Sequence, residues 1–234
     1  MKVGVNGATR DFNAITCGIN GAVRQASELW IGVNGAAKKV WPTLPVGTVI
    51  ILDTVGSGSW ECPASGQWQI EVHGGGGGGG GGGGNPDYIG PPGFGGGGGG
   101  GSGASVTATL GLKTNYAFVV GAGGAGGAGG ANGKTGESGS QSSFANLLTC
   151  NGGGGGEGGK AEYGGGGTGG DKSGDLASAG TNCNSPSPGT GGLGNVNVKS
   201  QTYGNGGKGG EGRQGTGRKG SAGKDGAIIL TYLG

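Results

Sequence analysis

The sequence is poor in proline and in charged residues, and each shortage argues against a class of protein or partner. Of its 234 residues, 73 are glycine but only 8 are proline. A collagen triple helix needs a strict Gly-X-Y repeat and about 15–20% proline or more, so collagen is excluded. Charged residues make up 12% of the chain and the net charge is +2. The sequence as a whole therefore has no basic excess, and nucleic acid is not predicted as a partner.

Long apolar segments and metal-binding motifs are also lacking. No run of about 18 apolar residues occurs, so no membrane insertion is expected. The first residues lack the apolar stretch of a signal peptide, which predicts synthesis in a cytoplasm. The chain has one histidine, His73, and no Cys-x-x-Cys motif, so no metal site is predicted. Sequence does not establish whether the four cysteines pair, and we expect buried thiols. They are Cys17, Cys62, Cys150 and Cys183.

A 14-residue repeat occupies the first domain, residues 1–42. Val-Gly-Val-Asn-Gly-Ala begins at Val3, and similar hexapeptides begin at Cys17 and Ile31. An Asn-Gly pair between apolar residues favours a type I′ turn, because that turn needs a positive φ at both central positions. Each copy is therefore predicted to form a β-hairpin. The three hairpins are expected to stack as a region for attachment or oligomerisation.

The second segment, residues 43–73, predicts β-strands around a tryptophan core. The stretch from Val46 to Asp53 is apolar and predicts a buried strand. Two further strands are predicted around Trp60 and Trp68, whose side chains we expect in the core.

Glycine tracts dominate the third segment, residues 74–234. Residues 74–84 are eleven consecutive glycines, and further tracts alternate with short apolar, strand-like pieces. These pieces are residues 105–112, 115–120, 144–149 and 226–233. The tracts fit either a flexible linker or packed polyglycine II helices, in which backbones without side chains approach closely and hydrogen-bond. Recurrence of the tracts between strands, and alanines at the three-residue spacing 122, 125 and 128, favours the packed array.

The predicted fold class is therefore all-β with irregular regions and almost no α-helix. It consists of N-terminal β-hairpin repeats followed by a glycine-rich domain of packed polyglycine II helices with short β-strands. No segment has a helical hydrophobic period.

Several motifs look like catalytic or cofactor sites but lack the context that such sites need. Residues 121–126 match Gly-x-Gly-x-x-Gly, and residues 128–135 resemble a phosphate loop, but no helix is predicted after either. Residues 166–171 resemble one calcium-binding repeat, which functions only in tandem copies. His73 has no evident catalytic partner and the carboxylates are scattered. We therefore predict no enzyme activity and no cofactor.

The order of segments after residue 56 resembles the glycine-rich domain of phage tail-fibre and adhesin proteins. The residues that carry the resemblance are Gly58-Ser-Trp-Glu-Cys-Pro63, Ile70-Glu-Val72 before the eleven glycines, Phe118-Val-Val-Gly-Ala-Gly-Gly-Ala125, Ser143-Phe-Ala-Asn-Leu-Leu-Thr-Cys-Asn151 and Gly223-Lys-Asp-Gly-Ala-Ile-Ile-Leu-Thr-Tyr232. The N-terminal repeats with Lys39-Val-Trp-Pro42 resemble those of phage and prophage tail proteins of Gram-positive bacteria.

This resemblance implies a receptor-binding tip in the virion tail, made in the cytoplasm of the bacterial host. A rigid polyglycine scaffold would present variable loops to a glycan or protein receptor on the cell surface. The N-terminal repeats do not decide what the protein attaches to. The partner is a fibre protein, a baseplate protein, or further copies of this chain in a trimer. A purely structural fibre or baseplate component is the alternative function, and a depolymerase is a third class without an acid pair in the sequence.

Exposed aromatic residues between the tracts are the best candidates for receptor contacts, because they provide contact area with little loss of entropy. The loop of residues 85–94 contains Tyr88, Ile89 and Phe94, and prolines stiffen it. Tyr163 and Tyr203 lie in comparable insertions. The alternative is that these aromatic residues cap the ends of the array as a small core.

Overall fold

The computed structural model describes residues 2–5, 8–11, 16–19, 22–25, 29–33, 36–41, 44–85, 100, 105–160, 191, 197–198 and 201–234. None of these residues is helical, which confirms the predicted all-β fold class. No described segment is a helix that could span a membrane. The chain divides into two units, Met1–Thr48 and Val49–Gly234, and each is described by itself.

The described strands number eighteen. In chain order they are β1 (Lys2–Val5), β2 (Ala8–Asp11), β3 (Thr16–Ile19), β4 (Ala22–Gln25), β5 (Leu29–Val33), β6 (Ala36–Trp41), β7 (Val49–Leu52), β8 (Gly56–Glu61), β9 (Gly66–His73), β10 (Gly84–Asn85), β11 (Ser105–Leu112), β12 (Asn115–Val120), β13 (Ser142–Phe144), β14 (Leu148–Cys150), β15 (Asn197–Val198), β16 (Gln201–Thr202), β17 (Arg213–Gln214) and β18 (Ala227–Tyr232).

The first unit contains three antiparallel strand pairs, β1–β2, β3–β4 and β5–β6. Val5 pairs with Ala8, and the other two pairs have the equivalent register next to the turn, although β5–β6 shifts its register between Leu29 and Trp30. Each pair thus leaves the two residues of an Asn-Gly sequence between its strands, as the predicted hairpins require. The Asn-Gly residues lie outside the described residues, and stacking of the hairpins stays a prediction.

Two four-stranded antiparallel sheets form the core of the second unit. Their strand orders are β11-β9-β18-β7 and β14-β13-β12-β8. Trp68, Ile70 and Val72 of the central strand β9 are fully buried, while the two residues between them are half-buried. This period of two is that of a strand with one face against a core. The other large side chains buried to the same degree are Phe144, Leu112, Ile228, Leu230 and Val120.

Aromatic rings connect the two sheets. Trp60 of β8 meets Trp68 of β9 edge to face, with ring centroids 5.2 Å apart. The ring of Phe144 lies 6.0 Å from Trp60 and stacks on Tyr116 at 5.5 Å. Such pairs contribute roughly 0.5–1.5 kcal/mol each beyond the area they bury. The prediction of Trp60 and Trp68 as core aromatics is thus confirmed.

Two strand predictions need correction. The apolar stretch from Val46 to Asp53 is not a buried strand, because its strand β7 lies at the edge of a sheet and pairs only with β18 among the described strands. The single strand predicted for residues 144–149 is instead a hairpin, β13–β14. Its turn places Ala145 and Asn146 at φ values of 54° and 55°.

The glycine tract of residues 74–84, here called the central tract, continues directly from β9. Six described segments approach it closely through their backbones. They are residue 100 and residues 121–130, 133–141, 151–160, 203–213 and 217–226. Because most of these segments continue sheet strands, the two sheets fix one end of the whole array.

Hydrogen bonds of the central tract recur every three residues. The N–H groups of Gly75, Gly78 and Gly81 donate to carbonyl oxygens within residues 134–140 at 2.8–3.0 Å. The glycine after each of these donates in the same way to residues 218–224. Carbonyl oxygens of the tract accept N–H groups from three further segments with the same period. The described tracts are therefore an ordered array and not a flexible linker, since most backbone groups of the central tract are paired within the protein.

Close approach of the backbones explains the need for glycine. A Cβ atom added to Gly78 would overlap the carbonyl oxygen of Ala125 and lie 2.8 Å from that of Gly124. Every glycine of the central tract would place a Cβ less than 3.0 Å from an atom of a neighbouring backbone. No side chain larger than hydrogen fits at these positions without moving a neighbouring segment.

Candidate functional site

The array has two ends, and only one of them faces away from the sheets. The central tract leaves β9 at His73 and, at the opposite end, its strand β10 pairs in parallel with β17. Residues 121–130 leave β12 and turn back at residues 131–132. Residues 151–160 leave β14 and run the same way, since Gly159 donates its N–H to Gly81. We call this end, made of residues 83–85, 130–133, 158–160 and 213–217, the far end.

Four of the five predicted receptor contacts follow points where the described chain stops at the far end. Tyr88, Ile89 and Phe94 follow Asn85 in the sequence, and Tyr163 follows Lys160. These four residues lie outside the described residues. The two points where the described chain stops, after Asn85 and after Lys160, are here called exits. They are adjacent, because a Cβ on Gly83 would lie 2.6 Å from the carbonyl carbon of Lys160.

Tyr203 lies at the other end of the array, beside the sheets. Its side chain is only 7% exposed, and its hydroxyl donates a hydrogen bond to Oδ2 of Asp53 at 3.1 Å. Burial, together with the carboxylate of Asp53, raises the pKa of the Tyr203 hydroxyl. A side chain placed in this way has little surface for a receptor and connects the array to the sheets. Its burial matches the alternative interpretation of the aromatics as core residues.

Charged side chains cluster at and beside the far end. Oε2 of Glu211 lies 3.1 Å from Nη2 of Arg213 and 3.7 Å from Nε of Arg218. An open groove of about 340 Å³ adjoins this group, lined also by Lys208 and Lys219. Sequence reasoning missed this cluster, because the two stretches that form it are aligned only by the hydrogen bonds of the array.

A sequence model described as a glycine-rich domain matches residues 53–228. The chain belongs to this family. The matched glycine-rich domain covers β8, the later described strands as far as the start of β18 and the array, which all lie in the second structural unit. No curated protein matches the chain.

Within the glycine-rich domain, the Gly-x-Gly-x-x-Gly motif of residues 121–126 is part of the array. The N–H groups of Gly123 and Gly124 donate to Oδ1 of Asp225 and to the carbonyl oxygen of Gly76, both at 2.8 Å. In a dinucleotide site such N–H groups would face the pyrophosphate at the start of a helix. Here they are already bonded within the protein, and the chain remains extended.

The one histidine of the glycine-rich domain is buried where the central tract begins. His73 is 3% exposed, and its Nε2 atom has no hydrogen-bond partner among the residues that the structure describes. Oε2 of Glu71 lies 3.8 Å from this Nε2 atom. Burial lowers the pKa of His73 to about 4, so the side chain is neutral near pH 7. Among the described residues, no group of three or more metal-binding side chains comes together.

Proposed function

We propose that this protein is a phage or phage-derived tail-fibre tip that binds a receptor on the host cell through loops held by a rigid polyglycine scaffold. The observation that carries the proposal is the geometry of the far end. There, two adjacent exits lead into the stretches that contain Tyr88, Ile89, Phe94 and Tyr163. Recognition residues typically lie on loops that a rigid scaffold positions.

Polyglycine II helices are our proposal for the scaffold itself. The three-residue period of the hydrogen bonds supports it, since a polyglycine II helix has three residues per turn. A central tract with six close neighbours supports it as well. Ala122, Ala125 and Ala128 accept hydrogen bonds from the single segment of residues 134–140, as positions on one edge of a threefold helix would.

The proposed receptor contacts are Tyr88, Ile89, Phe94 and Tyr163. Tyr203 is left out because it is buried against the sheets. The receptor is a glycan or protein on a bacterial surface, and the protein acts by binding and not by catalysis. Its location is the virion tail, after synthesis in the host cytoplasm.

The N-terminal hairpins are proposed to attach the tip to the rest of the tail. Their partners are other tail-fibre or baseplate proteins, or two further copies of this chain in a trimer. Two-stranded hairpins are marginally stable alone, so pairing with a partner or with each other would stabilise them.

Binding of the labelled full-length protein to a panel of bacterial strains tests the proposal. We expect adsorption to at least one strain, and its loss when Tyr88→Ala and Phe94→Ala are combined. The matched control combines Leu147→Ala with Leu233→Ala, which removes exposed apolar side chains, 58% and 43% accessible, away from the far end. Equal adsorption of the two double variants would refute the loop assignment. Adsorption to no strain would favour a purely structural fibre or baseplate component, the alternative function.

A further inference from the structure

A cationic seam runs along one side of the array, between the segments of residues 204–213 and 217–224. Residues 204–224 contain five basic residues and one acidic residue, a formal charge of +4. The whole chain carries only +2, so all other residues together carry −2. The comparable stretch of residues 131–160, whose two array segments also pair by backbone hydrogen bonds, has two basic and two acidic residues. Positive charge is therefore concentrated on this one edge of the array.

The seam consists of three rungs, each a hydrogen bond between the two segments. The N–H groups of Arg218, Ser221 and Lys224 donate to the carbonyl oxygens of Glu211, Lys208 and Asn205, at 2.9, 2.8 and 2.8 Å. Successive rungs are three residues apart, which is roughly 9–10 Å of extended chain.

Each rung carries one net positive charge. In the first rung, the carboxylate of Glu211 is shared by Arg218 and Arg213, so two cations face one anion. The second rung has Lys208 opposite Ser221, and the third has Lys224 opposite Asn205. Lys219 adds a fourth charge at the groove of about 340 Å³ beside the first two rungs.

The lysines of the seam are exposed and available to a ligand. Lys208, Lys219 and Lys224 are exposed, and no ion pair joins any of them to another described residue. The nearby carboxylate of Asp225 points elsewhere, since its Oδ1 accepts the N–H of Gly123 at 2.8 Å. A rigid row of unpaired cations concentrates anions at its surface.

We infer that this seam binds a linear polyanion with phosphate or carboxylate groups along its length, held across successive rungs. It adds a ligand class to the proposed function. It rests on that function only in placing the polyanion on a cell surface. Nucleic acid fits less well, because no aromatic side chain lies between residues 204 and 224 to stack on bases.

Fluorescence anisotropy with labelled polyphosphate and labelled polygalacturonate tests the inference and separates phosphate from carboxylate recognition. The full-length protein should bind at least one of these polymers and not bind neutral dextran, with weaker binding as salt rises. Combining Lys208→Gln with Lys224→Gln should weaken binding at least about tenfold at low salt. The control combines Lys113→Gln with Lys134→Gln, which removes the same charge from exposed lysines outside the seam and should change binding less than about twofold.

Three results would overturn the inference: no binding of either polymer, equal weakening in both double variants, or tighter binding of oligo-dT than of both polymers. Cell adsorption separates this inference from the proposed function. Adsorption without binding of either polymer would leave the tail-tip proposal standing and refute the seam. Binding of a polymer without adsorption to any strain would support the seam and count against the tail-tip proposal.

Discussion

Replacing Gly78 with alanine should be among the most destabilising single-methyl additions in this protein. Gly78 lies at the middle of the central tract, where its N–H donates to Glu137 and its carbonyl oxygen accepts from Gly156, both at 2.8 Å. The new Cβ would overlap the carbonyl oxygen of Ala125. That carbonyl belongs to a backbone held by its own hydrogen bonds, so it cannot move aside alone.

The magnitude follows from two contributions. Overpacking of a tightly packed site costs about 1–3 kcal/mol. Shifting the backbone of Gly78 away from the overlap also weakens its two hydrogen bonds, each contributing about 1 kcal/mol. Gly78→Ala should therefore lower the free energy of unfolding by roughly 3–5 kcal/mol.

Gly111→Ala is the matched control, since Gly111 lies in β11 and the nearest atom to its added Cβ is Nε2 of Gln67 at 3.5 Å. Because glycine in a strand is less favourable than alanine by about 0.5–1 kcal/mol, this variant should be unchanged or slightly more stable. Guanidinium unfolding followed by tryptophan fluorescence measures both, because Trp60 and Trp68 are buried. Equal unfolding free energies for the two variants would refute the packed array.

Two further predictions concern the sheets. His73 has a pKa of about 4 when folded, against an ordinary value of 6.5, so the unfolded chain binds its proton more readily. Stability should be complete above about pH 6.5 and fall by about 2 kcal/mol from pH 7 to pH 5, and His73→Gln should remove most of that slope in urea titrations. Ala145→Gly should raise the unfolding free energy by about 0.5–1 kcal/mol, because Ala145 has a φ of 54° that glycine adopts freely. No gain in the thermal midpoint of that variant would show that the turn is unstrained.

Sequence was a good guide where the signal was local. The Asn-Gly pairs predicted the register of the N-terminal hairpins, and the apolar strands around Trp60 and Trp68 predicted the core. The turn at Ala145 was missed because it contains no glycine, and neighbouring strands hold its positive φ values instead. The sequence left both contact with a receptor and burial open for Tyr203, because its partner Asp53 is 150 residues away in the chain.

The cationic seam could not be predicted either, because the residues that form it lie apart in the sequence. Lys208 and Lys224 are separated by a turn, and nothing in their local sequence shows that they lie on neighbouring rungs. Their alignment depends on the hydrogen bonds by which residues 218–224 pair with both the central tract and residues 205–211. Such long-range pairing is set by the whole array, which local sequence patterns do not encode.

The three-residue period of the array also limits how such a domain can change in length during evolution. An outer segment that gains three residues keeps each of its N–H groups directed at the same neighbour and extends by one rung, roughly 9–10 Å, beyond the far end. A gain of one or two residues instead rotates every later N–H group towards the wrong neighbour. Insertions and deletions in the tracts should therefore be tolerated in triplets, so that the length of each segment beyond the far end varies in discrete steps.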